Sequence, residues 1–267
     1  MKIAAVQMTS TEDVERNLAT ARRLARAAAE DGAALVVLPE CFAFLGPENG
    51  KLAVAESLPA GGPILDRFRA LAREKDLEIV LGGFWEKGSD ARKVKNACVH
   101  LRADGEVAAV YRKIHLFDVD LPDGTKLCES DTVEPGSEAV VTTTRLGTLG
   151  LSVCYDLRFP ELYRRLVDRG ATILAVPAAF TLTTGKDHWH VLLRARAIES
   201  QSYVVAAAQT GRHFGTRVSY GHALVCDPWG TIVSECGEGD GFAIAAVDQE
   251  AIARIRKSLP SLAHRRL

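Results

Sequence analysis

The feature that most constrains this chain is a change of period near its start. Lys2–Met8 is a short apolar run of strand length, and after it Val14, Leu18, Ala21, Leu24, Ala25 and Ala28 recur at helical spacing. Gly32 is placed to stop that helix, and Thr11 or Ser10 is its expected N-cap. Ala34-Leu35-Val36-Val37-Leu38 follows as a wholly apolar strand, which is the composition of a strand covered on both faces. A second helix over residues 64–75 and a strand over 77–84 repeat the alternation. Helices must therefore lie against the faces of sheets, and the fold class is α/β.

The middle of the chain reads differently. Strands over 96–101 and 106–112 flank Asp104-Gly105, a strong hairpin signal. Residues 113–136 carry many Asp, Pro and Glu without clear period, so a long loop is expected there, of the kind that carries function in a compact domain. A hairpin about Arg145-Leu146-Gly147 joins strands 140–144 and 148–154. Helix 160–169, strand 173–177, helix 187–200 and strand 203–208 come next. Asp227-Pro228-Trp229-Gly230 then turns between two short strands, strand 241–247 adds another, and helix 249–259 closes the chain. With no linker, low-complexity stretch or repeat, one domain over 1–267 is expected.

Composition narrows the function classes. Of 267 residues 47% are hydrophobic, enough for a sizeable core. A formal net charge of −1 lacks the basic excess of a nucleic-acid binder or a membrane clamp. The apolar stretches are too short to span a bilayer, and Glu12-Asp13 arrives too early for a secretory leader. The six cysteines form no Cys-x-x-Cys pair, which reads as reduced thiols in a cytoplasmic protein.

Three residues stand at the ends of apolar strands or hairpins: Glu40, Lys113 and Cys154. Cys154 follows a strand and precedes a helix opened by Pro160, which favours an exposed nucleophile at a strand-to-helix elbow. A thiol at neutral pH is only a few per cent thiolate, so it needs a base or a positive field; Glu40 offers the first and Lys113 the second. Taken singly, each has a plain structural alternative, because free cysteines are commonly buried and isolated charges commonly pair. His188 and His190 form a pair without a third metal ligand at zinc-like spacing, and Gly237, Gly239 and Gly241 lead into a strand rather than a helix. Neither suggests a metal or a phosphate site. Arg194 and Arg196 suit structural ion pairs, with Glu199 a candidate partner.

Leu38-Pro39-Glu40, Tyr111-Arg112-Lys113-Ile114-His115-Leu116-Phe117-Asp118 and Val153-Cys154-Tyr155-Asp156-Leu157-Arg158-Phe159-Pro160-Glu161 occur in the order of three signature blocks. Together they resemble the nitrilase superfamily of carbon–nitrogen hydrolases. The resemblance runs from residue 3 to the C-terminus. It implies a four-layer α-β-β-α sandwich with mixed sheets, a Glu40–Lys113–Cys154 triad, Glu129 holding the lysine, and no cofactor. It also implies a small-molecule amide substrate and a homodimer, or higher homo-oligomer, built through the outer helices. Members that are true nitrilases carry Trp-Glu after the cysteine, where this chain has Tyr155-Asp156. His188-Trp189-His190-Val191-Leu192-Leu193-Arg194-Ala195-Arg196 and Ala207-Ala208-Gln209-Thr210-Gly211-Arg212-His213 are similar to a branch of amidases. That branch implies a small anionic 2-oxo-acid amide, deaminated glutathione, cleaved through a cysteine thioester; 2-oxoglutaramate and N-carbamoyl compounds are the alternatives. Such a substrate needs local cations. Arg158 is one candidate, Asp156 or Glu161 being its structural alternatives as partners. The loop of Arg212, His213 and Arg217 is another, and Tyr155 and Phe180 complete the expected substrate-binding set.

Overall fold

The computed structural model describes residues 1–120 and 126–266. It opens with β1 (Lys2–Met8), α1 (Val14–Glu30) and β2 (Ala33–Val37). Asp13 caps α1, its carboxylate accepting from Arg16 N at 3.0 Å. Neither Thr11 nor Ser10 does so, because Ser10 is buried in hydrogen bonds with Phe42 and Gln209. A buried stripe of Leu18, Ala21, Leu24, Ala25 and Ala28 follows the expected period, and Gly32 ends the segment at φ +91°. The short α2 (Lys51–Val54) and α3 (Pro63–Lys75) lead to β3 (Glu78–Lys87), which pairs with β4 (Val94–Leu101) and through it β5 (Val107–Arg112).

Residues 113–136 are not one irregular loop. Strands β6 (Asp118–Asp120) and β7 (Lys126–Cys128) pair antiparallel, and a 3-10 turn over Glu129–Asp131 comes after them. Three-residue strands are too short to show a period, so the sequence does not betray them. Positions 121–125 of that stretch lie outside the described residues. Beyond them come β8 (Val140–Thr144), β9 (Gly147–Leu151), a 3-10 turn over Cys154–Arg158, α4 (Pro160–Asp168) and β10 (Ile173–Ala175). Helix α5 (Leu182–Ser200) starts five residues earlier than its apolar pattern suggests, since Thr181 caps it by accepting from Thr184 N. The remaining elements are β11 (Tyr203–Ala206), β12 (Ala208–Arg212), β13 (Val218–Tyr220), β14 (Leu224–Cys226), β15 (Ile232–Glu235), β16 (Gly241–Ala246) and α6 (Gln249–Ser258).

Among the described residues the strands form two large sheets. One runs β13-β12-β1-β2-β3-β4-β5, with β16 also on β1; the other runs β15-β14-β11-β10-β9-β8. Residues 203–208 read as one strand, yet β11 pairs with β10 whereas β12 pairs with β1. The chain crosses from one sheet to the other at Ala207, where three consecutive alanines leave room to pass. Each sheet has a parallel triple at its centre, β1-β2-β3 and β9-β10-β11.

The alternation of β1 explains the layering. Ile3 and Ala5 face a core shared with Leu149, Leu151 and Ile173 of the other sheet. Ala4, Val6 and Met8 face the opposite way, onto Leu18, Leu24 and Phe68 of α1 and α3. Helices α4 and α5 cover the outer face of the second sheet with Leu162, Leu166, Trp189 and Leu193. The order is helices, sheet, sheet, helices: a four-layer α-β-β-α sandwich. Each such large apolar side chain contributes about 1.5–3 kcal/mol on burial.

Candidate active site

The two parallel triples end at the same place. Glu40 follows β2 across Leu38-Pro39, and Cys154 follows β9 and donates its N–H to Pro177 O at 2.9 Å, just beyond β10. Gly82 and Gly83 make this approach possible. A Cβ on Gly82 would lie 2.2 Å from Pro177 Cβ, and one on Gly83, at φ +58°, 2.4 Å from Cys41 N and 2.7 Å from Glu40 Cγ. The register of β3 shifts at this point, as expected of a bulge.

Glu40 is buried and fully engaged. Its Oε1 accepts from Lys113 Nζ at 3.0 Å and Asn96 Nδ2 at 2.9 Å, and its Oε2 from Ala179 N at 3.0 Å. Lys113, only 2% exposed, also donates to Glu129 Oε2 at 2.8 Å. Glu129 Oε2 accepts from Phe117 N at 2.7 Å as well, while its Oε1 takes Asn96 Nδ2 at 3.1 Å. Asn96 thus ties the two carboxylates together. No sequence pattern singles it out, since β4 carries Lys95 and His100 as well and the partners of Asn96 lie far along the chain.

The charges are set by this packing. Burial alone would depress the Lys113 ammonium, but Glu129 and Glu40 outweigh it and hold the group well above its ordinary value. Burial likewise raises Glu129, yet Lys113 and its hydrogen bonds bring the carboxyl below the ordinary value. Lys113 is therefore charged and Glu129 ionised at neutral pH. Burial pushes the Cys154 thiol well up, Glu40 adds to that, and Lys113 offsets only part. The resting thiol is protonated, so its activation calls for proton transfer to a base.

Cys154 adopts φ +48°, a left-handed conformation rare for a side chain with a Cβ. Asp156 holds the turn in that shape. Fully buried, it accepts from Tyr111 Oη at 2.6 Å, Val153 N at 2.8 Å and His115 N at 3.2 Å, and it meets His115 Nδ1 at 2.7 Å. Asp156 is thus not a partner for Arg158. Arg158 instead lies over the Phe180 and Tyr155 rings, 5.3 and 5.8 Å from their centroids, and reaches His188 Nδ1 at 3.3 Å.

A cavity of about 1130 Å³ opens above Cys154, with Glu40, Lys113, Tyr155, Phe180, Arg158 and Arg217 in its wall. Lys51 and Lys126 also line it, but Glu48 and Asp120 pair with them. Among the described residues, Arg158 and Arg217 are the lining cations without a carboxylate partner, and Arg217 Nε is buried without an acceptor. The expected cluster of Arg212, His213 and Arg217 is therefore divided. Arg212 does not line the cavity and donates to Gly215 O. His213 is buried between Ser10 O and Ser219 Oγ, both at 2.8 Å, and burial lowers it to about 4, so it is neutral. His213 and Arg217 lie in the turn beyond β12, where His213 N donates to Arg217 O at 3.0 Å, and of the three side chains only that of Arg217 lines the cavity. Arg196 does pair with Glu199, at 2.9 Å, whereas Arg194 donates to Gly230 O.

The carbon–nitrogen hydrolase family profile matches residues 2–257. The chain is 47% identical to human deaminated glutathione amidase over 99% of its own length and 82% of that protein. It is 46% identical to the deaminated glutathione amidase of a Synechocystis strain, covering 98% and 97% of the two chains. The crystal structure of the Caenorhabditis elegans NitFhit protein superposes with a TM-score of 0.93 at 43% identity, covering 99% of this chain and 65% of that longer one. A Saccharomyces cerevisiae member of branch 10 of the nitrilase superfamily gives a TM-score of 0.85 at 32% identity, covering 97% and 94%.

Proposed function

The chain belongs to the carbon–nitrogen hydrolase family, and from that premise we propose that Cys154 opens the amide bond of deaminated glutathione through a thioester. Glu40 takes the thiol proton as Sγ attacks the amide carbon. Lys113 and the N–H of Tyr155 receive the developing oxyanion, each such donor being worth about 3–4 kcal/mol in other hydrolases. The C–N bond then breaks as Glu40 returns its proton to the departing amine. Water, deprotonated by Glu40, hydrolyses the thioester and releases the acid and the free thiol. Such general acid–base work contributes about two to four powers of ten. Glu129 and Asn96 do not touch the substrate; they position Lys113 and Glu40.

The observation that carries the substrate class is the pair of uncompensated arginines in the cavity wall. Deaminated glutathione has a carboxylate on its 2-oxo-acid end and another on its glycine end. Arg158, close to the elbow, suits the first, and Arg217 suits the second. The names of the relatives at 46–47% identity support the same choice. A hydrolysis panel of deaminated glutathione, 2-oxoglutaramate and an N-carbamoyl amino acid tests it. The highest kcat/KM is expected for the first, and a preference for either of the others overturns the assignment.

The same reading makes the protein a cytoplasmic homodimer. Six free cysteines suit a reducing compartment, and α5 and the turn before β15 leave Val191, Ile198 and Trp229 exposed. No described helix is long and apolar enough to cross a membrane. Sedimentation velocity decides the oligomeric state: a monomer at micromolar concentration removes the dimer.

A further inference from the structure

Away from the cavity, three side chains converge from three separate elements. His190 comes from α5, His222 from the connector between β13 and β14, and Glu235 from the end of β15. Glu235 Oε1 lies 2.7 Å from His190 Nε2 and 2.8 Å from His222 Nδ1, and the three donor atoms all fall within 4.8 Å of one another. The side chains are only partly exposed, and none lines the catalytic cavity. Tyr220 walls the group, its ring 4.5 Å from that of His222 and 5.8 Å from that of His190.

The backbone is arranged to bring these atoms together. His222 sits at φ +61°, a left-handed conformation that costs a residue with a Cβ about 1–3 kcal/mol and persists only where its surroundings impose it. Trp189 Nε1 secures it by donating to His222 O at 2.8 Å.

We propose that His190, His222 and Glu235 form a binding site for a divalent transition-metal ion, with Zn²⁺ the best match. Two imidazole nitrogens and one carboxylate oxygen are the donors a borderline-soft, tetrahedral ion takes, and solvent completes the fourth position. On binding, each ring carries its proton on the nitrogen away from the metal, and the ion replaces the two contacts that now run to a single carboxylate oxygen. The sequence hides this site because its ligands lie 32 and 13 residues apart, and the nearby His188 belongs to Arg158 instead. The ion's role is structural. It ties α5 to the β13–β15 region, and Tyr220 N in turn holds Phe180 O, at 3.0 Å, in the cavity wall.

The test is titration of the chelator-stripped full chain with Zn²⁺ by calorimetry, and with Co²⁺ by visible absorption. One equivalent is expected, with a raised Tm and weak cobalt d–d bands free of a thiolate charge-transfer band. His190→Gln and Glu235→Gln should each weaken affinity by at least about 100-fold, more than loss of an outer hydrogen-bonding partner does. Both should retain wild-type circular dichroism and metal-free hydrolysis. Absence of saturable binding overturns the proposal. So does a thiolate band, which places the ion on Cys154 or Cys128, and so does unchanged affinity in both variants.

Discussion

Replacing Glu129 by Gln removes one charge while preserving shape, and the hydrogen bonds around it set the consequences. The new amide NH₂ must occupy one of two carboxylate positions. At the Oε2 position it would confront Lys113 Nζ and the Phe117 N–H, two donors; at Oε1 it confronts only Asn96 Nδ2. The second orientation wins, leaving Lys113 a neutral acceptor in place of an anion. A hydrogen bond to a charged group becomes an ordinary one, and one donor meets a donor, which together cost about 2–4 kcal/mol of stability. The fold survives this. Turnover suffers more, because Glu129 is the largest influence keeping Lys113 charged, and Asn96 is pulled from Glu40 as well. Loss of one oxyanion donor costs 10²–10³ in kcat elsewhere, so a retained but loosened Lys113 should cost about 10². KM should change little, since the contact is made in the transition state. With its main counter-charge gone, Lys113 gives up its proton at lower pH, so the alkaline limit of activity moves down. Steady-state kinetics across pH, with thermal melts as the control, measure all three. A kcat within about threefold of wild type, with an unmoved alkaline limb, refutes the positioning role.

Arg158→Ala and Arg217→Ala should each raise KM for deaminated glutathione about 10- to 100-fold, the value of a charge-assisted contact, and Arg217→Ala should spare 2-oxoglutaramate; Arg212→Ala, outside the cavity, should change neither. An Arg212 effect equal to that of Arg217 would restore the divided loop to the site. Asp156→Ala strands the Tyr111 hydroxyl and the Val153 and His115 N–H groups, so a loss of at least about 3 kcal/mol is expected, or roughly 6–12 °C in Tm, read by calorimetry. His213, held at about 4 against 6.5 when unfolded, binds its proton more readily in the unfolded chain. Its contribution is therefore full above pH 6.5 and lost as pH falls from 6.5 to 4. Tm measured over that range should fall less steeply in His213→Gln than in the wild type, and parallel curves would show that His213 is protonated in the fold.

Legibility tracked the range of the underlying physics. The helical stripe of α1 and the apolar run of β2 were plain because burial imposes their periods residue by residue. Glu40, Lys113 and Cys154 were visible as polar residues ending apolar strands, and the structure gathers all three. Glu129 was reachable only through the resemblance, because its placement depends on a hairpin of three-residue strands. Asn96 and Asp156 act through buried hydrogen bonds to partners far along the chain, and no local pattern encodes those. The sheet switch at Ala207 was invisible for a related reason: an apolar run announces burial, not which sheet it joins. Arg212, His213 and Arg217 do sit together in the β12–β13 hairpin, but of the three only Arg217 lines the cavity, and which side chain a hairpin turns to a cavity is not written in its local sequence.

The central claim is that the Cys154 thiol is the nucleophile. It is tested most directly by the rate at which Cys154→Ala hydrolyses deaminated glutathione, beside the wild type at equal concentration and with matched circular dichroism. Loss of a nucleophile in comparable hydrolases costs about 10⁶ in kcat, so turnover by the variant should fall below detection. Hydrolysis by Cys154→Ala within about tenfold of the wild-type rate would contradict the account.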